Sequence, residues 1–184
     1  MSMNGKDCGE CSLCCKLMAI PELKKPKGVW CAHVVKKRGC GIYADRPPSC
    51  RAFQCLWLAD PRLPPEWKPA KSKFVMAGRR EGELVVHVDA NFPGAWRAEP
   101  YLSGLRAMAA AGQRQGGLVV IVEQGKSTVL LPDREVELGM VAEDERLVSG
   151  YIATPSGPRF EVKVMKAQEA DRLVDTLAAK GPQP

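Results

Sequence analysis

A chain of 184 residues with 45% hydrophobic side chains has apolar material for one ordinary domain or two small ones, and it shows no internal repeat or low-complexity tract. No stretch approaches the roughly 18 apolar residues of a membrane span, and the opening MSMNGKDCGE has no apolar h-region, so a cytoplasmic, reducing setting without membrane association is expected. The net charge of +6 is uneven: residues 1–60 hold ten Lys/Arg against five Asp/Glu, leaving +1 for the rest.

Taken in chain order, the first third is dominated by soft ligands. All eight cysteines precede residue 56, and CGECSLCC places four of them within eight positions. With His33 the candidate metal ligands are Cys8, Cys11, Cys14, Cys15, Cys31, His33, Cys40, Cys50 and Cys55. This segment has few large apolar residues, so it is not expected to pack a core unaided, and a cross-link must supply its shape. Four disulfides would satisfy the even count. A reducing compartment argues for metal instead, as does the adjacent pair Cys14 and Cys15, because neighbouring residues point apart whereas a disulfide needs converging Cβ atoms.

Spacing carries the metal reading further. On a helix Cys8, Cys11 and Cys15 share a face and Cys14 points away; in a turn, Gly9 lets successive CxxC steps present thiolates. Either geometry separates Cys14 from a neighbour, so two metal positions or one bridged cluster are expected. Cys31 and His33 lie two residues apart, Gly39-Cys40-Gly41 reads as a tight turn, and Arg46 to Cys55 reads as a proline-started helix or turn. Cys50 and Cys55, five apart, sit about 140° from each other on a helix and need not share an ion. Phe53, Leu56 and Trp57 are expected to floor the site, and Arg46 and Arg51 to balance thiolate charge.

The order CxxCxxCC, WCxH, GCxIYxxRPxxC and a late cysteine resembles the CxxCxxCC, or YkgJ-type, family of zinc- or iron-chelating cysteine cluster proteins. The resemblance covers about residues 8–58, on Cys8, Cys11, Cys14, Cys15, Cys31, Cys40, Ile42, Tyr43, Arg46, Pro47, Cys50, Arg51, Phe53 and Cys55. It implies metal chelation. Similar modules accompany protein-modifying enzymes such as flagellin lysine methylases, but this chain carries no adenosylmethionine-binding glycine motif.

Zinc takes four Cys/His ligands in closed tetrahedral sites, so about two zinc ions would use nearly all nine candidates. Iron or a [4Fe–4S] cluster is the alternative, although Cys15 follows Cys14 where the ferredoxin signature has a three-residue gap. Closed sites would make the protein a non-enzymatic metalloprotein; an open iron position would suit a redox or accessory module that assists protein modification. Lys24, Lys25, Lys27, Lys36, Lys37 and Arg38 could form a phosphate footprint, but no recognition helix or stacking motif accompanies them, so nucleic acid is not an expected partner.

DPRLPPEWKPA closes the cysteine module (residues 1–60) with a Pro-rich connection (61–72). Residues 73–184 read as an α+β domain serving partner binding or regulation. Strands are expected near Lys73 to Ala77, Glu83 to Asp89, Leu118 to Glu123, Thr128 to Leu131, Arg146 to Ala153 and Arg159 to Lys166. Turns are placed at Gly78 to Gly82 and Gln124 to Lys126. Tyr101, Leu102, Leu105, Met108 and Ala109 form one helical stripe; Leu173, Val174, Leu177 and Ala178 form another, ahead of a Gly181-Pro182 stop. The fold class is therefore α+β: an irregular metal-stabilised module beside a mainly antiparallel sheet with two helices on one face. No residue is assigned to catalysis. His87 and Asp89 share a strand face without an identifiable third partner, Arg79 and Arg80 read as solvated, and Trp96 and Tyr101 as packing residues.

Overall fold

The computed structural model describes residues 5–78 and 82–180. In chain order it contains helix α1 (Leu13–Leu17), the small hairpin β1 (Val34–Val35) and β2 (Gly39–Cys40), then short helices α2 (Pro48–Ala52), α3 (Leu56–Ala59) and α4 (Pro69–Ser72). There follow β3 (Phe74–Gly78), β4 (Glu83–Val88), α5 (Tyr101–Gln113), β5 (Leu118–Glu123), β6 (Lys126–Leu130), β7 (Glu135–Gly139), β8 (Glu145–Thr154), β9 (Gly157–Lys166) and α6 (Ala167–Lys180). The class is α+β, as expected from alternating apolar runs joined by short turns.

Strands β3 to β7 form one sheet in sequential order. Three of its four pairings are antiparallel; β4 and β5 are parallel, and α5 makes the crossover that a parallel pair requires. The sheet is covered on both faces, which is why β5 reads as the continuous apolar run LVVIV rather than an alternation. One face carries Phe74, Met76, Val86, Val119 and Ile121 against α5 and three tryptophans, Trp57, Trp67 and Trp96. The other carries Val85, Val120 and Val129 beneath Phe160 and Val162 of the β8–β9 hairpin. The second long helix, α6, leans on that hairpin instead of joining α5 on its face of the sheet.

Strand β7 is absent from the sequence reading. Its Glu-Val-Glu-Leu alternation is only four residues long, yet Val136 and Leu138 pack toward the hairpin side. The turn at Gln124-Gly125 has both residues at positive φ, +49° and +81°, the backbone a two-residue hairpin needs to match strand twist. The expected turn at 78–82 spans Arg79, Arg80 and Glu81, and the Gly181-Pro182 stop follows α6; both lie outside the described residues, as do the side chains of Val174, Leu177 and Ala178.

Packing crosses the boundaries drawn from sequence. The proline-rich passage sends Leu63 and Trp67 into the main core, where Trp67 meets Phe74 and Tyr101 edge to face. The Lys6 ammonium gathers this passage by donating to the carbonyls of Trp57, Asp60 and Leu63 at 3.1, 2.6 and 2.6 Å, 5.0 Å from the Trp57 ring. Prolines cannot donate from their nitrogens, so an internal ammonium that accepts no hydrogen bond suits a carbonyl-rich turn.

Helix α1 sits on β3. Leu13 and Leu17 are buried against Val75, together worth about 3–6 kcal/mol by area removed from water. Between them Lys16 reaches the far end of β4 and pairs with Asp89 at 2.5 Å, with side chains 8% and 5% exposed. Asp89 also accepts from the Asn91 amide. Asp89, one residue past β4, is thus the buried partner of Lys16. Removing one partner of a buried pair strands the other charge. Asp89→Ala should therefore lower unfolding free energy by about 3–5 kcal/mol, whereas Lys16→Met/Asp89→Leu should stay within about 1–2 kcal/mol of the wild type, both read by urea denaturation. Equal losses in the two variants would show that stranding the Lys16 charge carries no penalty.

Candidate metal centre

The cysteine segment is tied together by backbone hydrogen bonds before any cross-link is considered. Cys11 N–H donates to the Cys8 carbonyl at 2.8 Å, closing a turn through Gly9, and α1 then carries Cys14 and Cys15. Cys8 to Cys15 is thus turn followed by helix, combining the two geometries open at the sequence level. Cys31 N–H donates to the Cys15 carbonyl at 3.1 Å, fixing the WCAH stretch beside α1. Gly41 N–H donates to the His33 carbonyl at 2.8 Å, and Val34 pairs with Cys40, so Cys40 lies on a short strand rather than at a turn's tip.

Two further ties complete the cluster. Gly39 (φ +85°) lies so close to the Cys8 loop that a Cβ there would sit 2.5 Å from the Gly9 carbonyl oxygen. Only glycine allows both the backbone angle and the approach. Glu22 receives the Ser49 amide and hydroxyl at 2.9 and 2.7 Å, holding the start of α2 and therefore Cys50. Cys55 stands at the start of α3, its carbonyl accepting from Leu58.

These ties bring seven of the eight cysteines, together with His33, to the wall of one cavity of about 710 Å³. Cys55 falls on a small adjoining recess shared with Cys8, Cys11 and Cys14. All nine sequence candidates therefore border two spaces that share Cys8, Cys11 and Cys14 in their walls. Among the described residues, no group of three or more His, Cys, Asp or Glu side chains is already disposed as a metal's ligand set. The thiols are neighbours, but they do not converge on a common point. All eight are free thiols, none joined in a disulfide.

Their electrostatics record that proximity. Cys14 donates its S–H to Cys15, which pushes the Cys14 pKa far up, aided by burial and by neighbouring Cys15, Cys11 and Cys8. The same hydrogen bond lowers Cys15 to about 7 against the opposing effect of burial, with Lys25 and Arg46 as supporting cations. Burial raises Cys8, and neighbouring Cys11 adds to this, while a hydrogen bond from Tyr43 opposes it. Burial likewise raises Cys50, beside Cys15, Cys31 and Cys40, and Cys55, beside Cys8 and Cys11.

Several contributors escaped the sequence reading. Lys25 is buried and donates to the carbonyls of Lys16, Met18 and Pro26, so it is an internal strut with its charge turned toward the thiols. Tyr43 bonds Cys8 and stacks 3.7 Å from the Arg46 guanidinium. Arg46 faces the cavity as expected, but Arg51 is exposed and bonds the Arg46 carbonyl instead. Phe53 lines the cavity and Trp57 lines the recess while also belonging to the main core, against which Leu56 packs. No family description, curated protein or solved structure matches the chain.

A thiol with a lowered pKa becomes a thiolate at lower pH and alkylates earlier. In metal-free protein, iodoacetamide labelling of Cys15 should reach half its maximal rate near pH 7, with Cys14 lagging at every pH. Cys14→Ala removes the S–H donor and should move the Cys15 midpoint upward. Peptide mapping checks both; an unmoved midpoint would remove the Cys14–Cys15 hydrogen bond from the account.

Proposed function

We propose that residues 1–60 are a metal-binding module holding about two zinc ions, and that the α+β half is the platform through which partner binding or regulation is exerted. The observation that carries this reading is that seven cysteines and His33 line one cavity, with Cys55 beside it. Soft thiolates crowded in this way repel one another, and a thiophilic cation removes that repulsion while forming coordinate bonds.

The neighbourhoods suggest how ligands divide. Cys8, Cys11, Cys14 and Cys55 border the recess, whereas Cys50 has Cys15, Cys31 and Cys40 around it. Two four-thiolate sites on either side of α1 would use every cysteine, with His33 held beside the second. This division accounts for the adjacent pair: Cys14 serves one ion and Cys15 the other. Lys25 and Arg46 offset part of the negative charge that eight thiolates on two divalent ions retain. Such sites are closed, and the metal is structural. The module's order resembles YkgJ-type chelating proteins, which supports the same chemistry.

Iron is the second reading, favoured by the CxxCxxC run and by a cavity larger than two bare ions require. The same donors would hold an iron centre in a redox or accessory module. Anaerobic purification, a visible spectrum and metal analysis separate the two. A colourless protein with about two zinc ions per chain is expected; a brown one with several irons per chain would reject zinc, and no bound metal would reject both. Cys55→Ser should lose about one metal and leave the second site filled. Cys15→Ser should likewise cost about one metal, from the other site. Complete loss in both variants would contradict the division into two sites.

A further inference from the structure

Five of the ten exposed large apolar side chains among the described residues fall in one short stretch: Leu23, Val29, Trp30, Val35 and Tyr43. Trp30 and Val29 are about half exposed, at 50% and 51%. The remaining five are spread from Phe92 to Leu173, and one of them, Tyr151, is already engaged by Phe160 and Gln113. The same stretch carries Lys24, Lys27, Lys36, Lys37 and Arg38, all exposed and none with an ion-pair partner among the described residues. Its two acids are already engaged or distant in sequence from these cations: Glu22 is bonded to Ser49, and Asp45 follows the hairpin.

Leu23, Lys27, Arg38 and Tyr43 also line the cavity of about 710 Å³, where, among the described residues, Lys27, Arg38 and Arg46 face a single acid, Asp7. Uncompensated cations around unburied apolar groups are complementary to a segment of opposite charge that carries apolar side chains of its own. We propose that this face of the cysteine module is a docking surface for an acidic polypeptide segment bearing hydrophobic side chains, one of which enters the cavity mouth. The inference stands on surface residues and holds for either metal.

Two other occupants fit the details less well. Single-stranded nucleic acid needs open aromatic faces, yet the Lys16 ammonium lies 5.7 Å from the Trp30 ring centre and the Arg46 guanidinium covers Tyr43 at 3.7 Å. Leu23, Val29 and Val35 cannot stack on bases. An anionic bilayer presents a broad plane, which leaves a concave mouth unfilled, whereas a peptide side chain fills it.

The test uses the full chain as purified, with metal content and circular dichroism recorded for every variant. The probe is a fluorescein-labelled peptide of about a dozen residues alternating Asp or Glu with Leu or Phe. Saturable anisotropy is expected, weakening about tenfold in Lys27→Glu/Arg38→Glu and on raising salt from about 50 to about 500 mM, with metal content unchanged. Should that variant lose metal or fold, Lys36→Glu/Lys37→Glu, outside the cavity lining, should give a loss in the same direction. Absence of saturable binding would overturn the proposal, as would equal binding by intact variants or by a peptide with Ser in place of Leu and Phe. Tighter capture of oligothymidine, or of phosphatidylcholine/phosphatidylserine vesicles, by the wild type with the same charge dependence would also overturn it. Absence of peptide binding by wild-type protein that retains its metal separates failure of this inference from failure of the metal reading.

Discussion

The seating of α1 on β3 is the constraint from which the arrangement of the cysteine segment follows. Leu13 and Leu17 press on Val75 while Lys16 is drawn to Asp89 at the end of β4. A five-residue helix has no independent stability, so these contacts hold it. Because its inner face is committed to the sheet, Cys14 and Cys15 are presented to the neighbouring loops. The Cys31, Cys40 and Cys50 segments then attach to α1 and to each other through a handful of backbone and carboxylate hydrogen bonds. The sheet therefore determines where the thiols are, and the thiols determine what the module can bind.

Two kinds of cohesion meet at that helix. On one side lies an ordinary apolar core in which three tryptophans and α5 cover the sheet. On the other lie loops with almost no buried apolar side chains, held by glycine-permitted close approaches and by ammonium groups on clustered carbonyls. Lys6 and Lys25 use the same device: each places one cation among three backbone carbonyl oxygens. Such struts position loops without closing them. Metal coordination would supply that closure at small cost in chain entropy, since the ligands are already neighbours.

Much of the sheet is legible from the sequence because its strands are buried on both faces or bounded by strong turns; β5 is bounded where the apolar run begins and ends. β7 was missed because two valine- and leucine-sized signals between glutamates are too few to separate a strand from a loop. The proline-rich passage read as a connection because proline spacing announces a break in helix, but not that Leu63 and Trp67 are core residues on a wrapped segment. Lys16, Lys25 and Asp89 were invisible as structural groups, since a buried lysine looks the same in sequence as a solvated one. Within the site, the residue types and their number were legible; the division between the recess and the larger cavity was not, because it depends on α1 turning Cys14 and Cys15 toward different neighbours.

The central claim is that α1 is held by the sheet whereas the loops around it are closed by coordinate bonds. Amide hydrogen exchange on the full chain, before and after metal is stripped by a chelator, tests this most directly. The account predicts that residues 13–18 keep their protection in stripped protein, while residues 31–50 lose most of theirs and regain it when zinc is returned. Unchanged protection across residues 31–50 in protein verified to be metal-free would contradict it.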